Sequence, residues 1–392
     1  MANILIIFWN ELRLLLRDAG IIIFVFLAPL FYPLLYAYVY TNEVVRNVPC
    51  AVVDESSSSL SRDFIRKLDA TPNVDVVAVC HNMDEALRLL RSRDAFGVLH
   101  FPETMSDDIA RGRQTHLGYY SDMSSMMYYK TMLAGINNVS LDMGRDIRIE
   151  RYLGGSTERQ EAVMKMPVEY DYTPLFNPQG GFACFLIPPV LMLIIQQTML
   201  LGMGMQMGNV REKYGCAIPR RHYRASHFVA GKALVFFVIY LLVAVYMFTC
   251  VNRLFHLMHL GDYWTFLVFV TPYILSCVFF SMSVSFLIYR REDCILLFMF
   301  LSVPFLFISG ISWPSVAIPD LWRVVAHAIP STFGMPGYVR IASMGASLSD
   351  VMPEFVALWI QVFVYALLTL FLYHRDLKRM SHGGCYKSAL KE

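Results

Sequence analysis

No Asp or Glu occurs inside any of the six longest apolar stretches of this chain, residues 21–40, 182–207, 233–251, 264–289, 294–312 and 355–373. Their interiors hold no His either, so the groups through which a membrane protein draws on a proton or sodium gradient are absent. Charge is scarce overall: 16% of residues are Asp, Glu, Lys or Arg, against roughly 25% in soluble domains. No Gly-x-Gly-x-x-Gly follows the first strand-like run, which leaves dinucleotide binding without support. The Ser56–Ser59 run lacks the glycines of a nucleophile elbow and reads as a turn and helix cap. Gly231-Lys232 lacks the earlier Gly and the following Ser or Thr of a phosphate loop, so ATP hydrolysis has no seat in this sequence. The eight Cys form no framework: Cys184, Cys250, Cys277 and Cys294 lie in or beside apolar stretches. Cys50 and Cys80 open one predicted strand and close the next. In a parallel pair they stand at opposite ends, beyond the roughly 7 Å between Cα atoms that a disulfide tolerates.

Apolar residues dominate what remains. They make up 56% of the chain, and mean hydropathy is +0.47. Each stretch, about 19 to 26 residues long, is enough for a helix to cross roughly 30 Å of hydrocarbon. Lys and Arg set the expected orientation. Arg13, Arg17, Arg211, Lys213, Arg220, Arg221, Arg224, Lys232, Arg290, Arg291, Arg375, Lys378 and Arg379 fall on one side, against Arg253, Arg323 and Arg340 in the short loops of the other. This predicts cytoplasmic termini and an outward-facing segment 41–181. Residues 4–16 are interrupted by Glu11 and Arg13 and precede no cleavage site, so the first span is expected to stay as an anchor. Leu5, Phe8, Trp9, Leu12 and Leu16 form one side of that segment, with Glu11 and Arg13 off it, which predicts an interfacial helix.

Between the first two spans, strand and helix signals alternate. Strands are predicted at 48–53, 74–79, 96–101 and 116–120, and helices at 60–68, 83–90 and up to 110. A long helix is expected from 125 to about 152, ended by Gly154-Gly155, with a last strand at 168–172. The fold class is therefore a six-helix transmembrane bundle with an inserted α/β domain on a mixed sheet. Met123, Met126, Met127 and Met132 could serve a soft metal, as could His256 and His259. With 23 Met in the chain, packing explains the first group better.

Within the spans, Gln196, Gln197, Gln206, Ser276, Ser281, Ser283 and Gln361 read as hydrogen-bond partners between helices. Gly202, Gly204 and Gly208 give a small-residue stripe for close packing of helices or protomers. Residues 209–232 are an ordinary positive-inside stop or a contact through which a cytoplasmic partner pushes. Segment 309–336, with Trp313, Pro314, Pro319, Trp322, Pro330 and Pro336, is too broken to span and reads as short helices dipping into the outer leaflet.

Taken in order, these features resemble a type-2 ABC-exporter permease of the subgroup with a large extracytoplasmic domain after the first transmembrane helix. The ordered set includes Val48–Asp54, Asp84-Glu85-Ala86, Phe101-Pro102, Tyr119-Tyr120-Ser121-Asp122 and Asn177-Pro178. It continues through Arg211-Glu212-Lys213-Tyr214-Gly215, Gly231-Lys232, Ser309-Gly310, Trp313-Pro314, Pro319 and Pro330. The resemblance implies four parts: 1–40, the interfacial helix and first span; 41–181, the extracytoplasmic α/β domain; 182–373, five spans; and 374–392, a cytoplasmic tail. It gives Arg211, Glu212, Lys213, Tyr214 and Gly215, within a coupling loop 209–232, the role of docking an ATPase. It places Gly310, Trp313, Pro314, Pro319 and Pro330 in an outer re-entrant segment, and Tyr32, Tyr36, Phe305, Gly310 and Trp313 at a protomer interface. Residues 216–226 depart from the pattern, being short and basic where relatives carry a longer, more apolar coupling helix.

The implied protein is no enzyme and holds no cofactor. It sits in a bacterial cytoplasmic membrane and exports a hydrophobic or amphipathic substrate. Its partners are a separate ATPase that binds ATP, a second permease protomer, an outer adaptor and membrane lipids, with no nucleic acid. The competing reading is a membrane-anchored scaffold or receptor whose outward domain binds a ligand or adaptor. An intramembrane enzyme has no catalytic pair to support it.

Overall fold

A backbone in hydrocarbon must satisfy its own polar groups, so each apolar stretch becomes a helix. The computed structural model describes residues 2–152, 175–178, 180–215, 224–257 and 259–381. The chain forms two units, one of Met1–Glu43 with Pro174–Glu392 and one of Val44–Thr173. The first opens with α1 (Ala2–Leu15) and α2 (Ala19–Val39). Between them Asp18 is extended, and its carboxylate accepts the Gly20 and Ile21 amides at 3.0 and 3.2 Å. That N-cap breaks the helix in two. Pro29 and Pro33 lie in α2, just beyond a widened turn at Ile23–Leu27.

The second unit follows its local signals. In chain order it runs β1 (Val48–Asp54), α3 (Ser59–Asp69), β2 (Val74–Cys80), α4 (Met83–Ser92), β3 (Gly97–Phe101), α5 (Met105–Ala110), β4 (Gly118–Ser121) and α6 (Met126–Tyr152). The sheet order is β2-β1-β3-β4, with β1 parallel to both neighbours and β4 antiparallel to β3. Both faces are covered: Cys50, Val52, Phe64, Leu68, Phe101 and Met132 pack on one, and Ala51, Val53, Ala86 and Val98 on the other. Ser58 caps α3 through the Ser61 amide at 3.0 Å, and Asn82 caps α4 through Glu85 at 2.9 Å.

Cys50 pairs beside Val76 and Cys80 beside Val53, and both thiols are free. Burial pushes the Cys50 thiol up to about 12. Met132 fills the space over Gly97, while Met123, Met126 and Met127 are exposed, so the four share no site. Gly154-Gly155 and the strand expected at 168–172 lie outside the described residues.

The first unit resumes with α7 (Phe182–Tyr214), α8 (Ala225–Leu254), α9 (Tyr263–Leu287), α10 (Arg291–Ile308), α11 (Asp320–His327), α12 (Ser331–Met344) and α13 (Met352–Ser381). Among the described residues, α2, α7, α8, α9 and α13 are long and apolar enough to cross a membrane. The stretch 294–312 is helical too, but its helix begins three residues early. Arg291, Glu292 and Asp293 occupy its first turn, so α10 is not one of these five.

Helix α12 begins inside the segment 309–336 expected as short helices and runs on to Met344. Its Gly334 and Gly337 let it lie directly on α9, since a Cβ on either would stand 2.2 Å from the rings of Tyr273 and Phe269. The glycines on α7 act the same way within the unit. A Cβ on Gly202 would meet Val25 of α2 at 2.3 Å, and one on Gly204 would meet Cys294 of α10 at 2.5 Å.

Candidate functional site

Three segments distant in sequence meet where α7 ends. Arg291 grips Asp18 with both guanidinium nitrogens, Nη2 to Oδ1 at 2.6 Å and Nη1 to Oδ2 at 2.9 Å. Asn209 donates to the same carboxylate at 2.5 Å. A two-pronged, charge-assisted pair of this kind is strong and directional. Burial works to raise the Asp18 carboxyl pKa. Hydrogen bonds from Arg291, the Ile21 amide and Asn209, together with the Arg291 charge, outweigh it and hold the group below its ordinary value. Small residues make the approach possible: a Cβ on Gly20 would lie 2.1 Å from Arg291 Nη2, and one on Gly208 would lie 2.7 Å from its backbone nitrogen.

One turn further along α7, Arg211 and Glu212 face two helix ends. Arg211 Nη1 donates to the carbonyls of Phe286 and Ile288 at 2.8 and 2.7 Å, and its guanidinium lies 5.2 and 4.8 Å from the Phe286 and Tyr289 ring centres. It thereby closes the C-terminal end of α9. Glu212 Oε1 accepts the Arg291 amide at 2.9 Å and closes the N-terminal end of α10. Each charge matches the helix dipole it meets, a cation at a C-terminus and an anion at an N-terminus. The Arg-Glu pair is therefore a brace between consecutive helices.

The N-terminal helix differs from expectation. Its packed face carries Ile7, Glu11 and Leu15, whereas Leu5, Trp9 and Leu16 are exposed. Glu11 is only 4% exposed and accepts Gln206 Nε2 at 2.6 Å. Lys232 of α8, 3% exposed, sits in the field of that carboxylate. The reason is geometric: α1 lies on α8 at Gly231, where a Cβ would stand 2.6 Å from Ile7 Cγ2. The signal was Ile7, Glu11 and Leu15 at four-residue spacing, set against a lysine entering an otherwise uncharged stretch. A cavity of about 480 Å³ adjoins the cluster, walled by Leu14, Arg17, Asp18, Ile21, Gln206 and Asn209.

Other expected residues fall as follows. Lys213 is exposed on the last turn of α7, and Tyr214 is that helix's final residue. Gly215, at φ +67°, ends it by returning its amide to the Arg211 carbonyl at 2.7 Å. The expected loop 209–232 is thus largely helix, with 215–224 left as the connection. Residues 216–223 lie outside the described residues. Gly310, at φ +83°, turns the chain after α10, and Trp313 is 56% exposed beyond it. The Pro314 carbonyl accepts Ala317, Pro319 accepts Arg323 and Pro330 accepts Gly334, at 2.9, 3.1 and 3.0 Å.

Gln196 Oε1 caps α12 through the Ser331 amide at 2.8 Å, and Gln361 donates to the His327 carbonyl at 2.8 Å. Tyr32 and Tyr36 lie one turn apart, their rings tilted by 59° with centres 4.9 Å apart. Phe305 is partly buried against the bundle core. His259 stands edge-on to Phe248 and 3.4 Å from Asn252, and no group of three metal-ligating side chains forms among the described residues.

Five membrane-length helices and a small mixed sheet define an integral membrane protein. Residues 19–371 match the family described as ABC-2 family transporter protein. The match spans most of the chain, and the protein belongs to that family. It is a type-2 ABC transporter permease, a membrane component that is not itself catalytic. Such permeases generally work with a cytoplasmic ATPase. No curated protein matches the chain.

Proposed function

We propose that this chain is the permease subunit of an ATP-driven exporter. It crosses the membrane six times, with α10 as the remaining span, cytoplasmic termini and an outward-facing 41–181. An 18-residue helix rises roughly 27 Å, close to the hydrocarbon thickness, and the three charges of its first turn fit the interface. Two copies, identical or paired with a related chain, meet through Tyr32, Tyr36, Phe305, Gly310 and Trp313. A hydrophobic or amphipathic substrate passes outward between them or from the membrane, and an outer adaptor docks on 41–181.

The observation that carries the coupling reading is the brace at Arg211 and Glu212. An ATPase that pushes on connection 215–224 moves α7, and the brace passes that movement to the end of α9 and the start of α10. Arg211 to Gly215 then serve as the lever, with Lys213 facing the partner. The deciding experiment is co-purification with a cytoplasmic ABC ATPase from the host cell, followed by ATP-dependent transport in proteoliposomes. Retention of the ATPase and turnover only with both subunits is expected; an ATPase that never associates sinks the proposal. Topology has its own test. A Cys introduced near Asp94 should react with an impermeant maleimide from outside and one near Arg221 should not, and the reverse pattern rules out this orientation.

A further inference from the structure

A second cavity, about 710 Å³, opens between the first turn of α8 and the last turns of α13. Its walls divide by chemistry. Arg224, His374 and Lys378 supply basic groups, while Leu370, Phe371 and Leu377 supply a continuous apolar strip. No Asp or Glu is among the described lining residues. Phe371 is 62% exposed, although it belongs to a membrane-length helix. Arg224 immediately precedes α8, and His374 and Lys378 follow the apolar run 355–373 of α13.

We infer that this cavity binds an anionic phospholipid, its phosphate among Arg224, His374 and Lys378 and its acyl chain along Leu370, Phe371 and Leu377. The positive end of the α8 dipole acts on the phosphate in the same sense as the side chains. Basic pockets between membrane helices at the headgroup level recognise such lipids. The apolar strip separates a phospholipid from a free anion, because inorganic phosphate gains nothing from Phe371. A lipid held there bridges α8 to α13 at Arg224.

The test uses the full chain purified in a neutral detergent, with native mass spectrometry and thermal midpoints as readouts. The probes are palmitoyl-oleoyl phosphatidylglycerol, the phosphatidylcholine of the same chains, and inorganic phosphate. Phosphatidylglycerol should bind about tenfold more tightly than phosphatidylcholine, and millimolar phosphate should not displace it. The double substitution Arg224→Gln with Lys378→Gln should erase the preference. Arg253→Gln, remote in sequence and outside the cavity lining, should retain it. Phe371→Ala, on the exposed strip, should weaken phosphatidylglycerol severalfold and gives a readout even where the double variant fails to fold. Equal binding of the two lipids, displacement by inorganic phosphate, an undiminished preference in the double variant, or unchanged binding by Phe371→Ala each overturns the assignment.

Discussion

The two ends of α9 are held by opposite means. Near its start, Phe269 and Tyr273 lie on the bare backbone of Gly337 and Gly334, and the charges there do not tie α9 to another helix: Asp262 caps α9 itself through the Thr265 amide at 2.9 Å, and Arg340 pairs with Glu354 at 2.8 Å between α12 and α13. At its finish, charge takes over: Arg211 on the last carbonyls, Glu212 and Arg291 at the next helix, Asp18 beneath them, and Glu11 with Lys232 one layer away. Apolar close packing is stiff, because interiors pack at crystal-like density and tolerate little displacement. Charge pairs between separate segments have discrete alternatives, since each partner can be exchanged for water or another charge. The charged end is the one from which connection 215–224 leaves, so the movable joint and the proposed point of drive coincide.

The largest way to break this contrast is Glu11→Ala. It leaves the buried Gln206 amide without its acceptor and removes the carboxylate whose charge acts on the buried Lys232, a loss of about 3 kcal/mol. The thermal midpoint should fall far more than in Leu5→Ala or Trp9→Ala, which trim the exposed face. Equal effects would mean that Glu11 is solvated. Gly337→Ala strikes the other end. Its Cβ would lie 2.2 Å from the buried Phe269 ring, and overpacking of that kind costs about 2 kcal/mol. That loss should be the same in dilute and concentrated salt.

Arg291→Gln comes next. The Arg291 and Asp18 side chains are 33% and 18% exposed, so the pair is partly screened and its loss should cost about 1.5 kcal/mol. Unlike the glycine variant, the wild-type contribution should shrink as salt rises. Acid gives a second handle. Asp18 is held below its ordinary 3.8, so its contribution is complete above that value and fades as pH falls through the lower folded value. Wild type should therefore lose stability relative to Asp18→Asn only below pH 3.8; a difference already lost near pH 6 would contradict the pairing.

Legibility in the sequence followed the range of the signal. The strands and caps of 44–173 rest on neighbours a few residues apart, so Val48–Asp54, Ser58 and Asn82 could be read directly. Five membrane-length helices were readable from length and apolarity; the stretch 294–312 instead sits in a helix that starts at Arg291, where Asp293 closes the Arg290 amide and Glu212 of a distant helix closes the Arg291 amide. Glu11 lies off the Leu5, Trp9 and Leu16 side, as its spacing implies, but a helical wheel does not show that it is buried there against Gln206 of α7, 195 positions later in the chain. The run of helix α12 on to Met344 was hidden because two glycines and Pro336 weaken any helix signal, while their value lies in the aromatic rings of α9.

The smallest expected change in stability carries the most about mechanism. Glu212 is exposed, and its one described hydrogen bond, to the Arg291 amide, is a helix cap. Glu212→Ala should therefore cost under about 1 kcal/mol. Glu212→Gln keeps an oxygen that can accept the Arg291 amide but removes the charge. If Glu212 acts as the brace, Gln should preserve ATP-dependent transport while Ala lowers it, with the ATPase still bound in both. If Glu212 instead pairs with a cation on the ATPase, Gln and Ala should weaken association alike, and more strongly at high salt. Retained transport in Glu212→Gln with loss in Glu212→Ala would fix the lever inside the permease. Equal loss of ATPase binding in the two variants would move it to the surface between the subunits and abandon the brace.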